Sequence, residues 1–385
     1  MTTPAQKQKR EPIAILQLHG RFDGSAKDLR VVRLMNHWGD KAHYDLLLAE
    51  RGADSARDNI DPAVKAHFLS EPLMGAVGGP GRFLALAQIM RNYDLVLSFG
   101  WGAFDAVVAQ RMFGLLMNLP PLIHHEENRA GEETGPLGFS GDFYRRFALG
   151  AAHALVVPSG HMVHIAIDEW NEAPRHVHQI PDGIDLSRYA KGGSKGAIVG
   201  LASDDRLILG AQIGDAAPDM VDKLLSAAVS LKDKVRLVLL DGAEERAPLM
   251  ARAKAIGLDD LFIPEALTAP QDYLGALDLF ALVSPDTACP LALTEAMAAG
   301  LPIIATDVGD VAAMLGTGGR SFLVRDGDGA ALASALARLV DDVDQRKKVG
   351  DANRKRALQC FDEAIMFDLY ARLYGSAIGR DDALL

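Results

Sequence analysis

The sequence predicts an α/β protein of two parallel-sheet domains, with ligand-binding loops gathered at the cleft they face. Three observations predict it. Strand-type and helix-type segments alternate through both halves of the chain. The strands are compact apolar runs, as in sheets covered on both faces. A stretch at 187–205, holding Gly192-Gly193-Ser194-Lys195-Gly196 and few large apolar residues, separates the two series. A length of 385 residues is also long for one core.

In the first half, apolar strands are expected at 13–18, 44–49, 94–98, 121–124, 155–157 and 177–180. Helices are expected from 28 and at 82–91, 103–113, 143–151 and 159–170, with Ser159 as the N-cap of the last. Residues 51–80 read as irregular and 128–141 as a long polar loop. In the second half the strands are 207–211, 236–240, 261–263, 279–283, 303–306 and 322–324. Helices at 218–231 and 244–256 lie between them, and 330–340, 344–357 and 362–376 close the chain.

Ligands of such sheets bind at the carboxyl ends of the strands. The loops there are 19–27, 99–102, 124–131, 181–185, 212–219 and 284–291. The stretch 284–309 is the most informative. Pro290 suits the first turn of a helix, Gly300 suits its C-terminal stop, and Pro302 forbids continuation. Glu295 on that helix is placed to take sugar hydroxyls, while the helix N-terminus offers N–H groups to an anion. A solvated helix carboxylate is the alternative. His124-His125-Glu126-Glu127 stands at a strand end, and one of its carboxylates could orient or deprotonate a hydroxyl. Trp101, between Gly100 and Gly102, is either a stacking platform or a packed aromatic. No metal site is expected, because His161, His164 and Asp168 lack a matching ligand set.

The net charge of −11 argues against a general nucleic-acid binder. Arg346, Lys347, Lys348, Arg354, Lys355 and Arg356 form a basic cluster, read as a solvated helix face rather than a membrane patch. Two cysteines, Cys289 and Cys360, make no disulfide framework and fit a reducing compartment. The first ten residues are polar, so no secretory signal is expected. A cytoplasmic protein is expected, with the inner face of the membrane as a further location.

Four places together resemble the family 4 glycosyltransferases of the GT-B fold, which are retaining enzymes using nucleotide-sugar donors. Ile180-Pro181-Asp182-Gly183-Ile184-Asp185 is similar to the family's I-P-N-G-[IV]-D. Glu295-Ala296-Met297-Ala298-Ala299-Gly300-Leu301-Pro302 is similar to its E-A-M-A-x-G-x-P, and Ala305-Thr306-Asp307-Val308-Gly309 continues it. Gly24-Ser25 stands where the family often has a Gly-Gly loop. The resemblance implies two Rossmann-like domains, 1–187 on the acceptor side and 188–360 on the donor side. Segment 361–385 would pack back on the first. It implies a UDP- or GDP-type sugar donor, no cofactor, and a saccharide or lipid-linked acceptor. A peripheral membrane contact and a partner glycosyltransferase are further expectations.

By the same resemblance Glu295 binds ribose. The backbone of Pro290, Leu291 and Ala292 and of Gly24 and Ser25 meets the diphosphate and sugar. His125, or His124 in another register, touches the sugar; from the residues alone, Glu127 of the Glu126-Glu127 pair is the candidate acceptor-side carboxylate. The family's first glutamate is replaced by Thr287, and its Arg/Lys pair by Gly214 and Asp219. An aspartate facing a diphosphate is repulsive. Asp215 and Asp219 could instead recruit a cation. Two other readings follow: a non-catalytic protein of the same fold that supports a partner, and a sugar-nucleotide 2-epimerase.

Overall fold

The computed structural model describes residues 11–50, 52–69, 81–127, 141–189, 197–201, 205–214, 216–241, 245–265, 267, 269–283 and 290–385. The chain divides into two compact units, Met1–Pro181 with Met366–Leu385, and Asp182–Ile365.

The first unit is a seven-stranded parallel sheet in the order β3-β2-β1-β4-β5-β6-β7. Its strands are β1 (Ile13–His19), β2 (Ala42–Leu48), β3 (Ala66–Phe68), β4 (Leu95–Phe99), β5 (Leu122–His125), β6 (Ala154–Val157) and β7 (Val177–Gln179). Its helices are α1 (Ala26–Trp38), α2 (Gly81–Met90), α3 (Asp105–Met117), α4 (Gly141–Ala148) and α5 (Gly160–His164). β4 and β5 are buried along their whole length, which is why they read as continuous apolar runs. Two details differ from expectation. β3 lies inside the stretch read as irregular; it has only three residues and a half-covered pattern. The helix expected at 159–170 is α5 followed by a widened turn, Ile165–Glu169, that ends on the buried Trp170. Ser159 caps it, accepting from Met162 N at 3.1 Å.

The second unit is a five-stranded parallel sheet in the order β12-β11-β10-β8-β9. Its strands are β8 (Leu207–Gln212), β9 (Val235–Leu239), β10 (Leu279–Leu282), β11 (Ile303–Thr306) and β12 (Leu323–Val324). The helices are α6 (Pro218–Ser230), α7 (Arg246–Ala255), α8 (Pro270–Tyr273), α9 (Leu291–Ala298), α10 (Val311–Gly319), α11 (Gly329–Asp341) and α12 (Val343–Cys360), and α13 (Glu363–Ala377) starts here and is mostly part of the first unit. The strand expected at 261–263 is reduced to one bridge, Phe262 to Val238.

Strand alternation divides this unit into two cores. Leu209, Ala211, Leu237 and Ala281 face α6, α7 and α11. Ile208, Val238, Phe280 and Leu282 face α9 and α10. α9 and α6 therefore lie on opposite faces of the sheet. The boundary falls earlier than position 187, because Ile184 pairs with Asp362 and binds both Phe361 and Glu363 through its backbone. That pairing also keeps 361–365 in the second unit. From Met366 onward α13 belongs to the first unit, where Met366, Phe367, Tyr370 and Tyr374 complete its core.

Candidate functional site

Each sheet has one point where its strand order reverses, and open α/β sheets bind ligands there. In the second unit it lies between β8 and β10. Gly214, just past β8, adopts φ +49°, a left-handed conformation that suits glycine. The N–H groups of Ile213 and Gly214 both donate to Asp241, at 2.9 and 2.6 Å. Asp241 follows β9, the neighbour of β8, so one carboxylate ties two strand-end loops together. The backbone donor at Gly214 is thereby occupied by an acid.

β10 leads into α9. Pro290 is the N-cap of α9 rather than its first helical residue. The N–H groups of Leu293 and Thr294 turn back to its carbonyl. Leu291 and Ala292 are the first two residues of the helix, where N–H groups have no partner within the helix. Glu295 sits in the second turn, beside two phenols. Tyr189, on the short turn Leu186–Tyr189, hydrogen-bonds Glu295, and burial followed by the Glu295 charge raises its pKa. Tyr273 of α8 is raised to about 12 by burial, then by Glu295 and Asp241. The Tyr189 hydroxyl thus donates to Glu295, the Tyr273 phenol lies within its field, and Glu295 is half-buried.

The C-terminal end of α9 is fixed by backbone contact. Gly300 has φ +76°, and a Cβ placed on Gly350 of α12 would lie 2.2 Å from the Gly300 carbonyl oxygen. Asn353 of α12 donates to Leu301 O at 2.8 Å.

Asp219 requires a correction. It is exposed in the first turn of α6 and paired with Lys223 at 2.7 Å. It lines an open groove of about 430 Å³ between α6 and α11, on the opposite face of the sheet from Glu295. The pairing lowers its pKa and neutralises the charge that sequence placed against the donor. Thr287, Asp215 and Cys289 lie outside the described residues.

In the first unit the reversal lies between β1 and β4. The loops after these strands touch through backbone: a Cβ on Gly102 would sit 2.6 Å from Gly20 Cα. Gly24, at φ +91°, has open space where a side chain would project. Ser25 is the N-cap of α1, but its hydroxyl donates to Asp28 at 2.8 Å, and Asp23 N donates to the same carboxylate at 3.0 Å. Burial raises the pKa of Asp28. The phosphate-type turn expected at Gly24-Ser25 thus already holds a carboxylate.

His19, Phe99 and His125 stand in register on β1, β4 and β5, and their rings stack with centroids 4.4 Å apart on each side of Phe99. The expected sugar contact by His125 is corrected by this placement. The strand runs one residue further than its apolar pattern, so His125 is only 1% exposed. Its Nδ1 lies 3.2 Å from Ser98 O, and its Nε2 lies 2.8 Å from the Tyr374 hydroxyl. Burial, then Arg30, lowers its pKa well below the usual histidine range. His124 is buried too, with Nδ1 2.9 Å from Ser98 Oγ and Nε2 3.5 Å from Glu126.

The two carboxylates are also engaged. Glu127 is bound by the buried Arg30 through two N–H groups, which removes it as a free acceptor-side base. Glu126 accepts from Arg145 at 3.1 Å. The Arg145 guanidinium lies 4.9 Å from the ring centre of Trp101 and 4.8 Å from that of Trp170, so Trp101 is a packed aromatic. Among the described residues no group of three or more metal-ligand side chains could hold an ion.

Sequence reasoning missed Tyr189, Tyr273 and the role of Asp241. The one available signal was Asp241-Gly242 at a strand end. The two tyrosines carry none, since only folding brings them to Glu295.

The group 1 glycosyl transferases family model matches residues 213–356, most of the second unit. The MMP alpha-(1->4)-mannosyltransferase of Mycolicibacterium hassiacum is 27% identical over 221 residues, covering 54% of this chain and 50% of that one. The chain thus spans about half the length of this curated relative. A glycosyltransferase structure from Rickettsia africae superposes with TM-score 0.75 at 14% identity, covering 96% of this chain and 99% of the other. Anabaena HepE in complex with UDP superposes with TM-score 0.72 at 18% identity, covering 94% and 100%. The fold is GT-B, two Rossmann-like units each built on a parallel sheet. The second unit carries the group 1 glycosyl transferase signature, and the chain is similar to glycosyltransferases such as this mannosyltransferase.

Proposed function

We propose that the protein is a retaining glycosyltransferase that moves a hexose from a UDP- or GDP-type sugar donor to a saccharide or lipid-linked acceptor. The observation that carries this reading is Glu295. It lies on α9 at the reversal point of the second sheet, inside the segment matched by the family model, with the Tyr189 donor and the Tyr273 phenol beside it. A carboxylate held in one orientation accepts both hydroxyls of a ribose. The N–H groups of Leu291 and Ala292 add positive potential for the diphosphate. Its developing charge as leaving group is what such donors stabilise.

The test is thermal-shift titration with UDP-, GDP- and ADP-sugars, with and without magnesium. Wild type should be stabilised by one donor, and Glu295→Ala should lose most of that shift. Equal shifts in both proteins would remove Glu295 from the site.

One observation favours a second reading, a non-catalytic protein of this fold. Residues 207–222 contain no lysine or arginine, and the Gly214 N–H is taken by Asp241. A chain of that kind would give no shift with any donor and no slow donor hydrolysis.

A further inference from the structure

The C-terminal half of α3 has no structural reason to be as apolar as it is. Its residues Met112, Leu115 and Leu116 are exposed, Leu115 completely, at 102%, and Leu116 at 83%. α4 packs beside α3 and turns Phe143 and Phe147 outward, both about half exposed. Isolated surface leucines are ordinary, but five large apolar side chains on two adjoining helices form a patch.

Two arginines border the patch. Arg111 lies over the Phe147 ring at 5.6 Å, joining the two helices, and no carboxylate among the described residues pairs with it. Arg146 is exposed and binds only a backbone carbonyl, Glu169 O, in the contacts it makes to α5's following turn. The carboxylates of these helices are engaged: Asp105 accepts from Arg82 at 2.8 Å, and Asp142 accepts from the Trp170 indole at 3.0 Å. On a chain with net charge −11, Arg111 and Arg146 are thus the charged side chains of α3 and α4 that no carboxylate among the described residues pairs with.

We propose that the outward face of α3 and α4 docks on an anionic lipid bilayer, with Leu115, Leu116 and Phe147 entering the headgroup boundary and Arg111 and Arg146 meeting lipid phosphates. Charge complementarity selects this occupant. A second copy of the chain would set arginines against arginines, which opposes association. Side chains as protruding as Leu115 suit a soft apolar medium. Among the described residues no helix is long and apolar enough to cross a membrane, so the contact is one that lies on the surface. This docking replaces the basic C-terminal helix as the membrane-facing candidate. It is independent of the transferase reading, and its failure leaves that reading standing.

The experiment is co-sedimentation of the full chain with vesicles of phosphatidylcholine alone or mixed with phosphatidylglycerol, at low and high salt. Wild type should bind the anionic vesicles about tenfold better than the neutral ones, with partial release by salt. Leu115→Glu with Leu116→Glu should abolish binding, and Arg111→Glu should weaken it on anionic vesicles only. Both leucines are exposed, so the melting temperature should hold. Wild type remaining in the supernatant with both vesicle types would overturn the proposal. So would leucine variants that bind as wild type does. A wild-type dimer that ignores vesicles and becomes a monomer in the leucine variants would assign the patch to self-association instead.

Discussion

The Tyr374 hydroxyl lies 2.8 Å from His125 Nε2, a bond that joins the last long helix to the third strand inward of the first sheet. Both side chains are buried, and both titrate away from their usual ranges, His125 downward and Tyr374 upward, chiefly through burial. With Nδ1 donating to Ser98 O, the neutral ring accepts from the phenol. The residue that the sequence offers as a sugar contact is thus a structural one that holds α13.

Tyr374→Phe should therefore cost about 1–3 kcal/mol of unfolding free energy, since it leaves a buried Nε2 without a donor. Urea denaturation measures it. Nucleotide-sugar affinity should be unchanged, because the pair belongs to the core of the first unit. A variant with native stability and weakened donor binding would restore His125 to the functional site.

The pH dependence follows from the same stack. Burial, with Lys27 adding to it, lowers His19 to about 3, and His125 is lowered in the same direction. Both are neutral when folded, whereas unfolded histidine titrates near 6.5. Between those values the unfolded chain holds more protons, so stability rises with pH. This contribution is complete above about pH 6.5 and is lost as pH falls below it, at up to about 1.4 kcal/mol per pH unit for each ring. Melting curves from about pH 7.5 to about pH 5 should show the fall, and His19→Gln should flatten it. An equal slope in that variant would mean that His19 is protonated in the fold.

The fold was legible where physics is local. Runs such as 279–282 and 303–306 must be strands between covering layers, and Gly300 with Pro302 must end the helix between them. The failures have non-local causes. Nothing in Leu122–His125 says that the strand continues through a second histidine; that is decided by Val156 and Phe99, which pair with His125 from both sides. Glu295 was legible from its motif. Tyr189 and Tyr273 were not, because they come beside Glu295 only after separate segments of the second unit have assembled, and Asp241 acts on Tyr273 and the loop after β8 only in the folded unit. The resemblance sets Asp219 against the donor, but it does not carry the i,i+4 pairing with Lys223 that neutralises the charge.

Tyr189→Phe tests whether Glu295 needs its orienting donor. Loss of one hydrogen bond to a charged group should weaken nucleotide binding by about fivefold or more, with a smaller effect than Glu295→Ala. Isothermal titration with the best-binding nucleotide reads it. Equal affinity for both tyrosine and phenylalanine would leave Glu295 oriented by other contacts.

Asp241→Asn should act in the opposite direction. The amide oxygen can still accept from Gly214 or Ile213, while the negative charge beside the strand-end loop is removed. If the diphosphate lies against this loop, affinity should rise about threefold or more, and the gain should shrink at high salt. A drop in affinity would show that the carboxylate organises the loop rather than opposing the ligand.

Gly350→Ala probes how firmly α9 is held. The added Cβ would lie 2.2 Å from the Gly300 carbonyl oxygen and 3.6 Å from Pro302 N, and both are backbone atoms that no rotamer change can move aside. α12 must therefore shift away from the end of α9, straining the bond from Asn353 to Leu301 O. Overpacking of this kind should cost about 2–3 kcal/mol. Gly257→Ala is the control in the same unit: its φ of +86° strains an alanine, but no atom lies within 4 Å of the new Cβ, so about 1 kcal/mol is expected. Chemical denaturation of the two variants gives both numbers. Because α9 carries Glu295, Gly350→Ala should also weaken donor binding where Gly257→Ala does not. Equal binding in the two would mean that Glu295 keeps its place without the Gly300–Gly350 contact.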